Sequence, residues 1–173
     1  MDSEKPDILA TPAEALPTGR FAGRLAFEQR VRDALSCAAR EGWQEIILSD
    51  ATFLDWPLHE RTVVESLQDW SRSGRHMTLL ATRFDEVTRY HARFVAWRNR
   101  WDHIIDCRVC RGAAVVDFPS VIWSRDWFLH RLDPQRCSGV CSDDREGNVL
   151  LKQALDEAIR ESSPGFAAST LGL

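Results

Sequence analysis

The chain has 173 residues, of which 44% are hydrophobic and 28% charged, a composition typical of one folded globular domain and unlike that of disordered or fibrous proteins. Its apolar runs are shorter than the roughly 18 to 20 residues of a membrane span, and its start lacks the basic and apolar segments of a secretion signal, so we expect a cytoplasmic protein without membrane association. A net charge of −4 gives no global attraction to nucleic acid, which we therefore expect to be an unlikely partner.

Helix and strand patterns alternate through the middle of the chain. Apolar residues at helical spacing predict helices over residues 24–42, from 58, over 84–101 and over 144–162. Short apolar runs predict strands over 44–50, 76–81, 103–108, 113–117 and 121–124. This alternation predicts one α/β domain over 21–162, with a mixed, largely parallel sheet and helices on both faces. The proline-containing residues 1–20 are expected to be a flexible leader, and residues 163–173 a disordered tail.

The stretch RGAAVVDFPSVIWS, from Arg111 to Ser124, has two interpretations. It can be a buried hairpin in which Asp117 accepts hydrogen bonds from turn amides. It also resembles the H-x-K-x-x-x-x-D motif of phospholipase D-type enzymes, in which the histidine attacks phosphorus and the lysine neutralises the phosphoryl oxygens. Asp117 fits the aspartate of that motif, but Cys110 and Gly112 stand at the histidine and lysine positions. The resemblance therefore implies half of a phospholipase D-like fold with a degenerate active site.

Other polar side chains follow the first predicted strand. Asp50, Asp55 and His59 lie where open α/β sheets bind ligands, beyond the carboxyl ends of their strands. The alternative is that Asp55 caps the next helix and His59 is solvated. The arginines of the third helix also have two interpretations: they form an anion-binding face, or they are a solvated helix surface. The complete candidate pocket comprises Asp50, Asp55, His59, Asp117, Ser124 and Arg125.

The five cysteines allow a zinc site to be considered. The pairs Cys107 and Cys110, and Cys137 and Cys141, have spacings that suggest four thiolate ligands. However, alternation along a strand through Cys107 would place Cys110 on the opposite face of the sheet. We therefore expect no metal and no cofactor, with the thiols reduced.

A second resemblance covers most of residues 20–160. The phrases LSDATFLDWPL, FVAWRNRWDHIIDCR and DFPSVIWSRDWFLHRLD resemble a family of uncharacterised bacterial proteins of the beta-proteobacterial type, found alone or behind a GNAT-type acetyltransferase domain. This resemblance implies an acetyltransferase-like partner, and half of a phospholipase D-like fold implies a homodimer. Two functions stay open: a non-catalytic module that binds a protein partner or a small anionic ligand, and a divergent phosphodiesterase that uses Asp50, His59, Asp117 and Ser124.

Overall fold

A computed structural model describes residues 14–73 and 75–168 of the chain. Within these ranges the strands are β1 (Gly19–Phe21), β2 (Glu45–Ser49), β3 (His76–Ala81), β4 (Ile105–Val109), β5 (Ser120–Trp123), β6 (Phe128–Asp133), β7 (Ser138–Ser142) and β8 (Ser163–Pro164). The helices are α1 (Arg24–Glu41), α2 (Arg61–Ser71), α3 (Asp85–Tyr90), α4 (Ala92–Arg100) and α5 (Arg145–Glu161), with a short 3-10 turn at Asp102–Ile104. No helix in the described ranges is both long enough and apolar enough to cross a bilayer.

The described strands form one open sheet in the order β1-β7-β6-β5-β2-β3-β4-β8. The neighbours β2, β3 and β4 run parallel, whereas the other five pairings are antiparallel. The predicted mixed α/β sheet with helices on its faces is confirmed. Its parallel part is smaller than the sequence indicated, because β5, β6 and β7 follow one another as an antiparallel meander.

Alternation along the strands divides the core between the two faces of the sheet. Ile46 and Leu48 of β2 pack in the larger cluster, which contains the apolar residues of α1, α2, α3 and α4. Ile47 points the other way and packs with Trp123 and Leu155 of α5. Because successive side chains of a strand point to opposite faces, the continuous apolar run of β2 requires helices on both sides.

The predicted third helix is interrupted at His91, which separates α3 from α4. His91 has the non-helical angles φ −121 and ψ 53, and its ring is buried. Nε2 lies 2.8 Å from the carbonyl oxygen of Phe53, so the ring donates a hydrogen bond to the loop after β2. This long-range contact breaks a pattern that reads locally as one continuous helix.

The predicted hairpin within residues 111–124 is wrong in its first half. Residues 113–117 form an exposed loop, in which Val116 is 80% exposed, and only β5 is a strand. The predicted partner of this segment is β5, whose two edges are occupied by β2 and β6, so residues 113–117 cannot pair with it. The chain instead crosses to β5, which pairs with β2 and β6.

Both predicted chain ends differ from the structure in the residues that it describes. Ser163 and Pro164 form β8 on the edge of β4, and the ring of Phe166 stacks 4.8 Å from that of Phe84. The predicted disorder is thus wrong for residues 163–168, and residues 169–173 lie outside the described ranges. At the other end, β1 pairs with β7 and the Pro17 carbonyl accepts a hydrogen bond from Trp127. Residues 1–13 of the predicted leader also lie outside the described ranges.

Candidate functional site

The carboxyl edge of the sheet, where β2, β3 and β4 end, contains an aspartate that is fully engaged within the protein. Asp50 follows β2 and is buried. Its Oδ2 accepts hydrogen bonds from the main-chain N–H groups of Thr52 (3.2 Å) and Phe53 (2.8 Å), which folds the loop back on itself. The turn holds Phe53 at φ 58, in the left-handed region.

Arg131 of β6 occupies the remaining space beside Asp50. Its Nη2 donates to Asp50 Oδ1 (2.9 Å) and to Asp55 Oδ1 (3.1 Å), while Nη1 donates to Asp55 Oδ2 (2.6 Å). Nε donates to Ser120 Oγ (3.0 Å), and Nη1 also contacts Cys137 Sγ (3.5 Å). An arginine has five N–H donors, and all five of these are used here.

This arrangement makes the Arg131 cluster a structural centre in which the guanidinium has no N–H donor left for a ligand. Burial lowers the pKa of the Arg131 guanidinium, but the hydrogen bonds and charges of Asp55 and Asp50 outweigh that effect and raise the pKa. The guanidinium carbon lies 4.2 Å from the centre of the Phe27 ring in α1. The cluster therefore links the loop after β2 to β5, β6 and α1. Two of the predicted pocket residues, Asp50 and Asp55, belong to this cluster.

His59 lies outside the Arg131 cluster. It is exposed, and its ring is 5.8 Å from that of His91 and nearly parallel to it. Among the described residues, the histidine rings hydrogen-bond only to Thr78 Oγ1 and to the Phe53 carbonyl, so none is paired with a carboxylate. Because Phe53 offers only an acceptor, Nε2 of His91 carries the proton, and its buried Nδ1 has no partner among the described residues.

The three positions of the degenerate motif lie together at the carboxyl edge. Cys110, Gly112 and Asp117 line a cavity of about 420 Å³ between the loop after β4 and the end of α5. Cys110 Sγ lies 3.5 Å from the Ala158 carbonyl, and burial raises the pKa of this thiol. The cavity thus retains the aspartate of the motif but contains neither the histidine nor the lysine.

Ser124 and Arg125 lie at the opposite, amino edge of the sheet. Since Ser49 is opposite Val121 in the β2–β5 register, Ser124 is about four residues, or roughly 13 Å, along the strand from Asp50. Ser124 is buried and its Oγ donates to the Trp127 carbonyl (2.7 Å), closing the turn into β6. The structure therefore does not bring Asp50, His59, Asp117 and Ser124 into one site.

The cysteines are separated in the way that strand alternation predicts. Cys107 of β4 is buried in the core on the α1–α4 side, whereas Cys110 contacts α5 on the other face. Burial raises the pKa of Cys107 to about 11 and that of Cys141 to about 12, so both are protonated thiols at neutral pH. Within residues 14–73 and 75–168, no group of three or more His, Cys, Asp or Glu side chains is arranged to hold a metal ion.

A cationic surface covers α3 and α4. Arg89, Arg93 and Arg100 are exposed there, and none forms a salt bridge with a described carboxylate. Residues 83–103 contain five arginines and three carboxylates, a net charge of +2 in a chain whose net charge is −4. Two of the carboxylates are already paired, Glu86 with Arg83 (2.7 Å) and Asp102 with Arg98 (2.6 Å). We call Arg89, Arg93 and Arg100, which have no carboxylate partner among the described residues, the arginine surface.

An exposed aromatic side chain adjoins this surface. Tyr90, the last residue of α3, is 52% exposed, and the guanidinium carbon of Arg89 lies 5.4 Å from the centre of its ring. In α4, Arg93 and Arg100 are seven residues apart and so lie on one stripe of the helix. Arg93 Nη1 also donates to the His59 carbonyl (3.0 Å), which holds this arginine beside the loop after β2.

Comparison with solved structures identifies proteins that share this fold. TrmBL2, described as an archaeal chromatin protein with a novel mode of DNA binding, matches 92% of this chain with a TM-score of 0.64 and 14% sequence identity. This chain spans only 57% of TrmBL2. NucT from Helicobacter pylori, which has a phospholipase D-like fold, matches 87% of this chain and 99% of its own, with a TM-score of 0.58 and 11% identity. No protein-family model and no curated protein sequence matches the chain.

The fold is phospholipase D-like. The sequence predicted a second copy of the chain or an acetyltransferase-like protein as the partner, with nucleic acid unlikely. This prediction is wrong. The finding that overturns it is that this phospholipase D-like fold occurs in a chromatin protein described by its DNA binding. A net charge of −4 does not exclude such a partner, because net charge sums the whole surface, whereas a nucleic acid contacts only one part of a protein surface.

Sequence reasoning missed Arg131, which organises the carboxyl edge. One signal was available: FLHRLD alternates in the manner of a strand, and Arg131 falls on the same face as Leu129, which is buried. A charged residue on a buried strand face requires a partner of opposite charge, and the aspartates after β2 were the candidates. However, the FLHRLD segment was not recognised as a strand, so that signal was lost.

Proposed function

We propose that this protein is a non-catalytic phospholipase D-like module that binds the phosphate backbone of a nucleic acid through the arginine surface. The observation that carries the proposal is the exposure of Arg89, Arg93 and Arg100 on two consecutive helices without carboxylate partners among the described residues. Guanidinium groups bind phosphates in a planar, two-pronged geometry, so unpaired exposed arginines are well suited to this ligand. In this proposal the anionic ligand that the sequence predicts is the phosphate backbone of a nucleic acid.

Two further observations support a role in binding without catalysis. The cavity formed by Cys110, Gly112 and Asp117 lacks the histidine that attacks phosphorus in the phospholipase D-type motif, and burial raises the pKa of the Cys110 thiol, which disfavours the nucleophilic thiolate. TrmBL2, a chromatin protein whose mode of DNA binding has been described, has the same fold. Membership of residues 20–160 in the bacterial family described above, and a cytoplasmic location, stay predictions.

The experiment compares two triple variants of equal charge in binding to a fluorescein-labelled DNA duplex, followed by fluorescence anisotropy. The test variant is Arg89→Gln, Arg93→Gln, Arg100→Gln. The control is Arg61→Gln, Arg72→Gln, Arg160→Gln, which removes three exposed arginines that are each paired with a carboxylate. The test variant should bind at least about tenfold more weakly than the wild type, with little effect of duplex sequence.

The control separates the arginine surface from net charge, because both variants lower the charge of the chain by the same amount. It should retain nearly wild-type affinity, since its arginines are already neutralised by their partners. Absence of wild-type binding at low salt, or an equal loss in both variants, would show that the arginine surface is not the binding surface.

A further inference from the structure

A groove at the amino edge of the sheet is lined by three tryptophans. Trp43 precedes β2, Trp123 ends β5 and Trp127 precedes β6, and together they border a cavity of about 610 Å³. The Trp43 and Trp127 rings lie 6.3 Å apart. We call this cavity the tryptophan groove. It lies at the edge of the sheet opposite the Arg131 cluster.

The indole N–H groups of the tryptophan groove are already used within the protein. Nε1 donates to Glu41 Oε2 (3.3 Å) from Trp43, to Asn148 Oδ1 (3.0 Å) from Trp123 and to the Pro17 carbonyl (3.0 Å) from Trp127. Trp123 and Trp127 are only 6% and 5% exposed, so the aromatic surface that the groove offers a ligand is chiefly that of the partly exposed Trp43. An aromatic ring face carries negative potential and attracts cations.

Carboxylates surround the same cavity. Its lining includes Glu41, Glu45, Asp126 and Asp143 but only one cationic side chain, that of Arg125. Within residues 14–73 and 75–168, only one of these four carboxylates forms a salt bridge, Glu45 with Lys152 at 4.0 Å. The charge of the groove therefore complements a cationic ligand.

One ammonium group of the protein already lies over the ring of Trp123, at the border of the groove. The Lys152 ammonium lies 5.2 Å from the centre of the Trp123 ring, while remaining near Glu45. The combination of an aromatic face and a carboxylate around an ammonium group is thus present at the border of the groove. It is also the combination that proteins use to recognise quaternary ammonium ligands.

We infer that the tryptophan groove is a binding site for a small organic ammonium compound. The cationic head lies against Trp43, and the carboxylates of Asp126 and Asp143, which line the same cavity, balance its charge. A cavity of about 610 Å³ is large enough for a small molecule of this kind. This site is separate from the arginine surface and does not depend on nucleic-acid binding.

The experiment uses the full chain, with choline as the probe and dimethylbutanol as its neutral isostere, in which a carbon replaces the nitrogen. Isothermal titration calorimetry should detect saturable binding of choline and at least about tenfold weaker binding of the isostere. Equal binding of the two compounds would overturn the inference, because the groove would then recognise shape and not charge. Failure to detect any saturable choline binding would overturn it as well.

Variants locate the site. Trp43→Leu should weaken choline binding about tenfold, and Asp126→Asn combined with Asp143→Asn should weaken it several-fold without removing apolar contacts. Trp101→Leu is the matched control, since Trp101 is partly exposed and lies outside the groove, where it hydrogen-bonds to Gln68 (2.9 Å). Thermal melting confirms that each variant is folded. Choline binding that survives both groove variants, or that is lost equally in Trp101→Leu, would place the site elsewhere.

Discussion

Arg131 and Asp50 form a buried ion pair that joins β6 to the end of β2. The Nη2–Oδ1 distance is 2.9 Å, and the side chains are only 2% and 7% exposed. The two residues are 81 positions apart in the chain. Since a buried charge is tolerated only when it is paired and hydrogen-bonded, each residue depends on the other for the stability of the fold.

The first prediction concerns this pair. Arg131→Met leaves Asp50 buried without its cation and should lower the free energy of unfolding by about 3 to 5 kcal/mol, as measured by urea denaturation. Arg136→Met is the control, because Arg136 is 85% exposed and lies 3.9 Å from Asp133, and it should change stability by less than about 1 kcal/mol. Adding Asp50→Asn to Arg131→Met should restore part of the loss. Equal effects of Arg131→Met and Arg136→Met would contradict a structural role for the pair.

The second prediction concerns pH. Burial lowers the pKa of His91, an effect only partly offset by its hydrogen bond to the Phe53 carbonyl. In the unfolded chain this histidine titrates near its ordinary value of about 6.5, so the unfolded state takes up the proton first as the pH falls. The contribution of His91 to the free energy of unfolding should therefore be constant above about pH 7 and decrease below about pH 6.5 until the folded pKa is passed.

The variant His91→Gln tests the origin of this slope. Glutamine retains an N–H donor for the Phe53 carbonyl but does not titrate, so unfolding stability should vary less with pH in this range. Burial also lowers the pKa of His130, which accounts for part of the remaining slope. The exposed His103→Gln is the control and should keep the wild-type slope. If His91→Gln keeps it too, the buried histidine is not the source.

The third prediction concerns salt. Binding of a DNA duplex through the arginine surface releases counterions, so the logarithm of the binding constant should fall linearly with the logarithm of salt concentration. Replacing Arg89, Arg93 and Arg100 by glutamine should reduce the slope by about 0.9 for each phosphate contact that is lost. Anisotropy titrations at several salt concentrations measure this. A slope unchanged by the triple substitution would mean that the phosphates are bound by other residues.

The fourth prediction concerns catalysis. The protein should not hydrolyse bis-nitrophenyl phosphate above the level of the variant Cys110→Ala, Asp117→Ala, because neither the histidine nor the lysine of the phospholipase D-type motif is present in the cavity at Cys110. The release of nitrophenolate, followed by absorbance, measures this activity. Turnover by the wild-type protein that is lost in the double variant would establish a catalytic site in that cavity.

Local sequence patterns were sufficient to predict those helices and strands in which buried residues recur at a regular spacing within one segment. The predicted 76–81 strand coincides with β3, and α1 and α5 lie within a residue or so of the predicted ends. These segments carry an apolar period that is set by their own geometry, which is 3.6 residues per turn in a helix and two in a strand. The phospholipase D-like fold was likewise inferred from the order of elements and the position of Asp117.

The sequence by itself therefore determined which segments bury one face and that helices alternate with strands. The tertiary structure decided which strands pair at their edges and which charged side chains form ion pairs. Residues 113–117 have the composition of a strand but form an exposed loop, because β2 and β6 already occupy both edges of their predicted partner β5. His91 interrupts a helical pattern because its ring donates a hydrogen bond to the Phe53 carbonyl, 38 residues away. Asp50 and Asp55 look like ligand-binding carboxylates in sequence, but Arg131 is close enough to neutralise both only after the sheet has formed. Pairing of this kind depends on distances in space, which the periodicity of a single segment does not encode.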